Sequence, residues 1–232
     1  MAVNYQNKIV TDGLILCLDA GDPKSYNGNG TTWTDRSGEG NNGTLTNDST
    51  FNSDVGGNIA FDGTDDKAYC GSVTPNTEDF TIELLFKLTA TWGRGGVFER
   101  KAGSPYNGFL FGQGASNSWV FSVSGTSDFN NRIEAAWTYP TLNVWYHDVA
   151  VYSGGNTVTI YRNGVYVDGE TGSSQGDLST QGTRTDLLIA NRDNSLSLPC
   201  KVAFTRVYNR ALTASEVLQN FQATRGRFGI WV

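Results

Sequence analysis

The chain is poor in the residues that most readily carry chemistry. It has a single histidine, His147, so any Ser-His-Asp arrangement would have to run through that residue. Its three cysteines, Cys17, Cys70 and Cys200, are an odd number without any Cys-x-x-Cys spacing. They cannot all pair within one chain, and they give no sign of a zinc or redox motif. Cys17, inside the apolar run Gly13-Leu14-Ile15-Leu16-Cys17-Leu18, reads as a small buried hydrophobe. Only 17 of 232 residues are Lys or Arg and the formal charge is -6, which argues against nucleic acid as a partner. No apolar run approaches the ~20 residues that span a bilayer, so membrane insertion is not expected. The first residues, MAVNYQNKIV, lack the apolar core of a secretion signal, and the mature chain is expected to start where it is written. Helical periodicity is nearly absent, and no internal repeat is visible.

Glycine, by contrast, is abundant: 28 of 232 residues, against a usual ~7%. Clusters of Gly, Asn, Ser and Thr separate short β-branched or aromatic runs, the pattern of an all-β chain. The stretch from Asn143 to Gly169 is the clearest case. Asn163-Gly164 supplies the two positive-φ positions of a type I′ turn, pairing Arg162 with Val165, Tyr161 with Tyr166 and Ile160 with Val167. Ser153 to Asn156 closes the preceding hairpin and sets Val151 against Val158. This register predicts a core row of Val149, Ile160 and Val167, with Trp145, Val151, Val158 and Val165, while Asp148, Tyr161 and Tyr166 face the other way.

The run Phe80 to Leu88 predicts a long strand with Ile82, Leu84, Phe86 and Leu88 on its core face. Further strands are predicted at Leu14–Leu18, Ile59–Phe61, Ala68–Cys70, Gly96–Glu99, Gly108–Phe111, Trp119–Val123, Arg132–Trp137, Asp186–Ala190 and Lys201–Tyr208. Ser25 to Asp54 reads as long loops pinned by Trp33, Leu45 and Phe51. One helix is predicted, opening on the capping box Thr213-Ala214-Ser215-Glu216, with Leu212 and Val217 as a staple, Val217, Leu218 and Phe221 as its apolar face, and Gly226 as its stop. The expected organisation is an arm (1–12), one domain (13–223) and a tail (224–232).

Several pieces stand in a telling order. They are Trp33-Thr34-Asp35-Arg36-Ser37-Gly38, then Gly40-Asn41-Asn42-Gly43-Thr44-Leu45, Phe61-Asp62-Gly63-Thr64-Asp65-Asp66, Phe80-Thr81-Ile82-Glu83, Trp145-Tyr146-His147, Tyr161-Arg162-Asn163-Gly164, and Val207-Tyr208-Asn209-Arg210-Ala211-Leu212-Thr213 through Glu216. From about residue 13 to 222 the chain resembles the concanavalin A-like lectin/glucanase superfold, in its laminin-G-like jelly-roll members. The resemblance implies an antiparallel two-sheet jelly-roll sandwich with one short C-terminal helix. The opening, together with the ending from Ala223 to Ile230, looks like structural proteins of tailed phages that infect marine bacteria.

A glucanase of this superfold sets carboxylates at alternate positions of one strand. Glu83 is followed at alternate positions by Leu85 and Lys87, so it lacks a partner and reads as an outward strand residue. His147 alternates away from Asp148 and reads as a packed, hydrogen-bonded histidine. No catalytic residue is assigned, and no enzyme is expected. Lectin-like sandwiches often hold calcium, and Asp19, Asp35, Asn41, Asp62 and Asp65 are the loop residues that could ligate it; the plainer reading is that they close turns. For stacking on a sugar, the aromatic candidates are Tyr161, Tyr166, Trp33, Trp92 and Trp137, of which Tyr161 and Tyr166 also make sense simply as a stabilising cross-strand pair. In the tail, Arg225, Arg227, Phe228 and Trp231 are candidates for docking on a neighbouring subunit, or for folding back onto their own sandwich.

The expected function is therefore a non-enzymatic virion structural protein, a decoration, fibre or adhesion module made in the host cytoplasm and released by lysis. Its expected partners are other virion proteins, further copies of itself and host-surface glycans. The alternative is a carbohydrate-binding lectin, calcium-dependent or not, outside any virion.

Overall fold

A computed structural model of the chain describes residues 8–71, 73, 78–91, 96–102, 107–114, 118–125, 131–175, 187–192 and 196–230. In chain order the strands are β1 (Leu14–Asp19), β2 (Thr32–Trp33), β3 (Gly43–Thr46), β4 (Thr50–Asn52), β5 (Asn58–Phe61), β6 (Lys67–Tyr69), β7 (Phe80–Leu88), β8 (Gly96–Ala102) and β9 (Asn107–Gln113). They continue with β10 (Ser118–Ser124), β11 (Ile133–Thr138), β12 (Tyr146–Ser153), β13 (Thr157–Arg162), β14 (Val165–Thr171), β15 (Leu187–Ile189), β16 (Asn191–Arg192), β17 (Leu196–Ser197) and β18 (Cys200–Tyr208), before the helix α1 (Ala214–Phe228).

The first sheet runs β14-β13-β12-β7-β18-β5-β4, with β1 also on β18; the second runs β11-β10-β9-β8-β15-β6-β3-β2. All pairings are antiparallel. Two sheets each present one apolar face and bury them against one another, which is the sandwich the alternating runs require. Ile82, Leu84, Phe86 and Leu88 of β7 point into that core, as predicted, and Phe80 joins them. Phe86 stacks on Trp119 from the opposite sheet, centroids 5.2 Å apart.

The Asn163-Gly164 turn forms as predicted, with φ of 52° and 78°, and Tyr161 opposes Tyr166. A bulge then sets Ile160 against Asp168 rather than Val167. The preceding hairpin is one residue out of the predicted register: Ser153 pairs with Thr157, so Val151 faces Thr159 and not Val158. Gly154 and Gly155, both at positive φ, let Gly154–Asn156 close the turn as a loop one residue shorter than expected, and a one-residue slip exchanges faces. Ala150, Tyr152, Val158 and Ile160 therefore enter the main core. Val149 and Val151 pack on the opposite face with Val10, Tyr208, Leu212 and Val217, while Val165 and Val167 are exposed. Trp145 also belongs to that opposite face, against Phe228 at 5.5 Å. Asp148 is buried on the face of Leu84 instead of facing out, held by Arg162 at 2.8 and 2.7 Å.

The stretch expected as long loops carries three short strands, β2 to β4. The helix opens on the predicted box, Thr213 accepting from the Glu216 N–H and Glu216 reaching back to the Thr213 N–H at 2.8 Å. It passes the expected stop at Gly226 and ends at Gly229, in the left-handed region at φ 64°. Contacts made by Arg227 and Phe228 hold this last turn, and they outweigh the cost of one helical glycine.

Candidate functional site

Alternation on β7 puts Thr81, Glu83, Leu85 and Lys87 on the face away from the sandwich core. For Glu83 that face is not solvent: α1 and residues near Val10 cover it, and Glu83 is 0% exposed. The expectation of an outward strand residue holds for its direction and fails for its environment. His147 Nε2 lies 2.7 Å from Glu83 Oε1, and Arg206 Nη1 donates to the same oxygen at 2.7 Å. Asn220 Nδ2 donates to Oε2 at 2.9 Å, and the Tyr208 hydroxyl lies 3.4 Å from it. Asn220 Oδ1 in turn accepts the Val10 N–H at 2.7 Å. Burial pushes the Glu83 carboxyl up, but the Arg206 charge and the His147 and Asn220 contacts outweigh it, and it is held below the usual carboxylate range. His147 is packed and hydrogen-bonded, as its alternation implied. With Glu83 and His147 at 0% and 1% exposure, this cluster fastens the helix to the sheet and cannot reach a substrate.

The aromatic candidates separate by burial. Trp33 is wholly buried in the core, which removes it as a sugar platform. Trp137 lies half-buried, edge-on to Phe111 at 5.7 Å and 5.8 Å from the Arg162 guanidinium. Tyr161 and Tyr166 form the predicted pair, T-shaped at 6.2 Å. Tyr161 leans on the cluster beneath α1 and Tyr166 is largely exposed. Trp92 and Trp231 lie outside the described residues.

The acidic candidates separate by partner. Asp19 receives the Arg227 guanidinium at 2.7 and 2.5 Å. Asp35 accepts from the Cys17 N–H, the Ser37 N–H and hydroxyl, and the Asn41 N–H, while Asn41 Nδ2 donates to the Ile15 carbonyl. Protein donors occupy the carboxylates of Asp19 and Asp35, and Asn41 is tethered through its own donation to Ile15, so all three side chains close loops. Asp62 and Asp65, in contrast, meet Asp66 in one turn. In the tail, Phe228 is 5% exposed among Leu85, Ala203 and Phe204, and Arg227 also donates to the Gly56 carbonyl. Both fold back onto their own sandwich, the second of the two alternatives expected for the tail. Arg225 lies 5.8 Å from the Phe221 ring on the same helix.

Beside Arg227 is a groove of about 520 Å³, lined by Pro23, Tyr26, Asn27, Phe51, Ser53, Gly56 and Gly57. Tyr26 and Phe51 set their rings 5.5 Å apart at 51°, and the Tyr26 hydroxyl is fixed on the Gly30 carbonyl at 2.7 Å. Arg227 threads closely beneath: a Cβ on Gly21 would fall within 2.0 Å of its guanidinium, so only glycine fits there. The arrangement joins an aromatic floor to a polar rim, at a volume within the range of small-ligand sites. Sequence reading recognised Phe51 as an anchor and passed over Tyr26, because the loop ring of Tyr26 and the β4 ring of Phe51 lie 25 residues apart with no periodicity to link them.

A two-sheet sandwich with a groove on its loops and a helix on its outer face defines the lectin-like class of β-sandwich. The family model for the concanavalin A-like lectin/glucanases superfamily, of laminin G type, matches residues 62–218, and the chain belongs to that family. No curated protein matches the sequence. Among solved structures it is similar to Trypanosoma rangeli sialidase, with a TM-score of 0.66 and 15% identity over 93% of this chain and 33% of that one. It is also similar to the binding domain of botulinum neurotoxin DC in complex with rat synaptotagmin II, with a TM-score of 0.69, 14% identity, and coverage of 92% and 52%. A third is botulinum neurotoxin type C, whose cell entry depends on interaction with two ganglioside molecules, at 0.68, 16%, 92% and 52%. The chain thus spans a third to about half of these proteins, and the likeness is one of fold.

Proposed function

We propose that the chain is a non-enzymatic virion structural protein of a tailed phage, a decoration, fibre or adhesion module that binds a glycan in the Tyr26–Phe51 groove. The groove is the observation that carries the binding reading: a half-buried Phe51 ring suits the apolar face of a pyranose, and Asn27 and Ser53 on the rim suit its hydroxyls. Structural relatives that engage ganglioside and synaptotagmin support a recognition role. The resemblance of the opening and ending to phage structural proteins supports the virion setting. So do three free, buried thiols, which suit synthesis in a host cytoplasm and release by lysis.

Two measurements test this. On a glycan array the protein binds a defined set of sugars, and Phe51→Ala lowers that affinity about tenfold, as expected for a lost aromatic platform worth roughly 1–1.5 kcal/mol. Unchanged binding by Phe51→Ala would move the site elsewhere, with exposed Tyr166 next in line. Mass spectrometry of purified particles places the protein in the virion; its absence there would favour a free lectin.

A further inference from the structure

One side chain crosses between the two walls of the Tyr26–Phe51 groove. The first wall is the chain leaving β1, from Asp19 to Pro23; the second is a 3₁₀ turn, Asp54–Gly56, with Gly57 behind it. The walls meet backbone to backbone, since a Cβ on Gly57 would fall 2.6 Å from the Gly21 Cα. Arg227, from the last turn of α1, turns one edge of its guanidinium to each wall. Nη1 and Nη2 donate to the Asp19 carboxylate at 2.7 and 2.5 Å, while Nε and Nη2 converge on the Gly56 carbonyl at 2.9 and 2.6 Å. A planar fork serves both acceptors at once, and the point charge of a lysine does not. The second wall needs such a clasp. Val55, Gly56 and Gly57 stand at φ of 49°, 81° and 88°, and the left-handed region is costly for a β-branched residue. Val55 is exposed, so burial does not hold it there. The helix end that carries Arg227 is pinned in its turn: Phe228 packs on Ala203 and Phe204, and the Ala203 carbonyl accepts the Ala20 N–H of the first wall at 2.9 Å.

We propose that Arg227 is a positioning residue of the groove: it sets the gap between the two walls, and it makes ligand binding there depend on how the last turn of α1 is seated. This role rests on the glycan reading of the groove. Most of the guanidinium N–H groups are committed to the walls, so Arg227 acts through Asp19 and Gly56 and not by gripping the sugar. When the end of α1 is drawn off the sheet, the strut leaves with it, and Gly21 and Gly57 are free to part. Linkage makes the effect reciprocal: a sugar that needs the closed walls steadies the end of α1 by the same factor by which the seated end favours the sugar.

Arg227→Lys keeps a cation beside Asp19 and gives up the bridge, so it separates the strut from the charge. It is expected to lower the melting temperature by no more than about 4 °C. On an array of immobilised neutral and acidic oligosaccharides it weakens binding on the order of tenfold, inside the roughly 5–150-fold span of couplings between distinct sites. Hydrogen exchange without any sugar reads the walls directly. The Gly21, Asp22 and Gly57 amides, bonded within the walls, exchange faster in Arg227→Lys, while those of β7 do not change. Arg225→Lys, on the same helix but turned to the Phe221 ring, alters neither readout. Adding the tightest of the array oligosaccharides to the parent slows exchange both at the walls and in the last turn of α1. If the parent binds sugars and Arg227→Lys binds them equally well, the role proposed for Arg227 is overturned and the groove remains a glycan site. Wall amides that keep their parental rate overturn it too, as does a sugar that slows the walls and leaves α1 untouched. Exchange that rises through the whole sandwich along with the loss of affinity makes Arg227 a structural support only. A parent that binds no oligosaccharide on the array removes the glycan reading and the positioning role together.

Discussion

A carboxylate with no water around it must find its donors within the protein, and Glu83 finds them on β12, on β18 and on α1. Removing it strands Arg206, which lies 3% exposed and is held charged by this partner against the cost of its burial. Glu83→Ala is therefore expected to lower stability by about 3–5 kcal/mol, the cost of a broken buried pair, read from denaturant midpoints at constant m-value. A loss below about 1 kcal/mol would mean that the network contributes no more than surface ion pairs do. The face on which Glu83 sits was legible from alternation along β7. Its partners were not, because they come from residues 64 to 137 positions away and no spacing in the sequence links them. Asp35, similarly, was visible as an oxygen ligand, but the four donors that saturate it come from β1 and its own loop only once the chain has folded.

At the scale of the element, α1 is where sequence and tertiary structure divided the work. Its start was legible because a capping box is local, and Thr213→Ala is expected to cost about 1 kcal/mol through the lost N-terminal acceptor. Its end was not, because the last turn depends on Asp19, the Gly56 carbonyl and the Phe204 ring, all far off in the sequence. A chain ending at Ala223 loses those contacts, and a large fall in melting temperature is expected; an unchanged value would mean the last turn is not part of the cooperative unit. The β13–β14 hairpin leans on the same helix. At Gly164, a Cβ would come within 2.9 Å of the Phe221 ring at a φ of +78°, so Gly164→Ala combines backbone strain with a clash and destabilises the hairpin and helix together. The register of the neighbouring hairpin was misread because the pair Gly154-Gly155 accommodates either of two loop lengths, and hydrophobic Val149 and Val151 suit both faces of a sheet that is covered on both sides.

The molecule as a whole is three layers, helix on sheet on sheet, with charged groups placed between the helix and the first sheet. This gives a definite response to acid. The Arg210 guanidinium, aided by the Thr213 contacts, pulls the Glu216 carboxyl down from its ordinary 4.5 to about 2, and Glu83 is held low as well. A carboxylate with a depressed folded-state pKa contributes stability that is present above its ordinary value and lost as pH falls through the folded one. Denaturation midpoints should therefore decline from about pH 4.5 toward about pH 2, and Glu216→Gln should flatten that decline. Asp66 runs the opposite way: its raised carboxyl disfavours the fold at neutral pH, an effect relieved on protonation.

The three cysteines divide the same layers among themselves. Cys17 pairs with Arg206 across β1 and β18 and shares its helix-covered face, whereas Cys70 and Cys200 lie in the core between the sheets. Burial pushes the Cys70 thiol up to about 12 and the other two upward as well, so none reacts until the structure around it opens. A thiol reagent then acts as a clock with three hands. If the helix lifts while the sandwich stays closed, Cys17 is modified first and alone; if the layers part together, all three are modified at one rate. Peptide mapping of the labelled protein over time would read which barrier guards the outer face and which guards the core, without a single substitution in the chain.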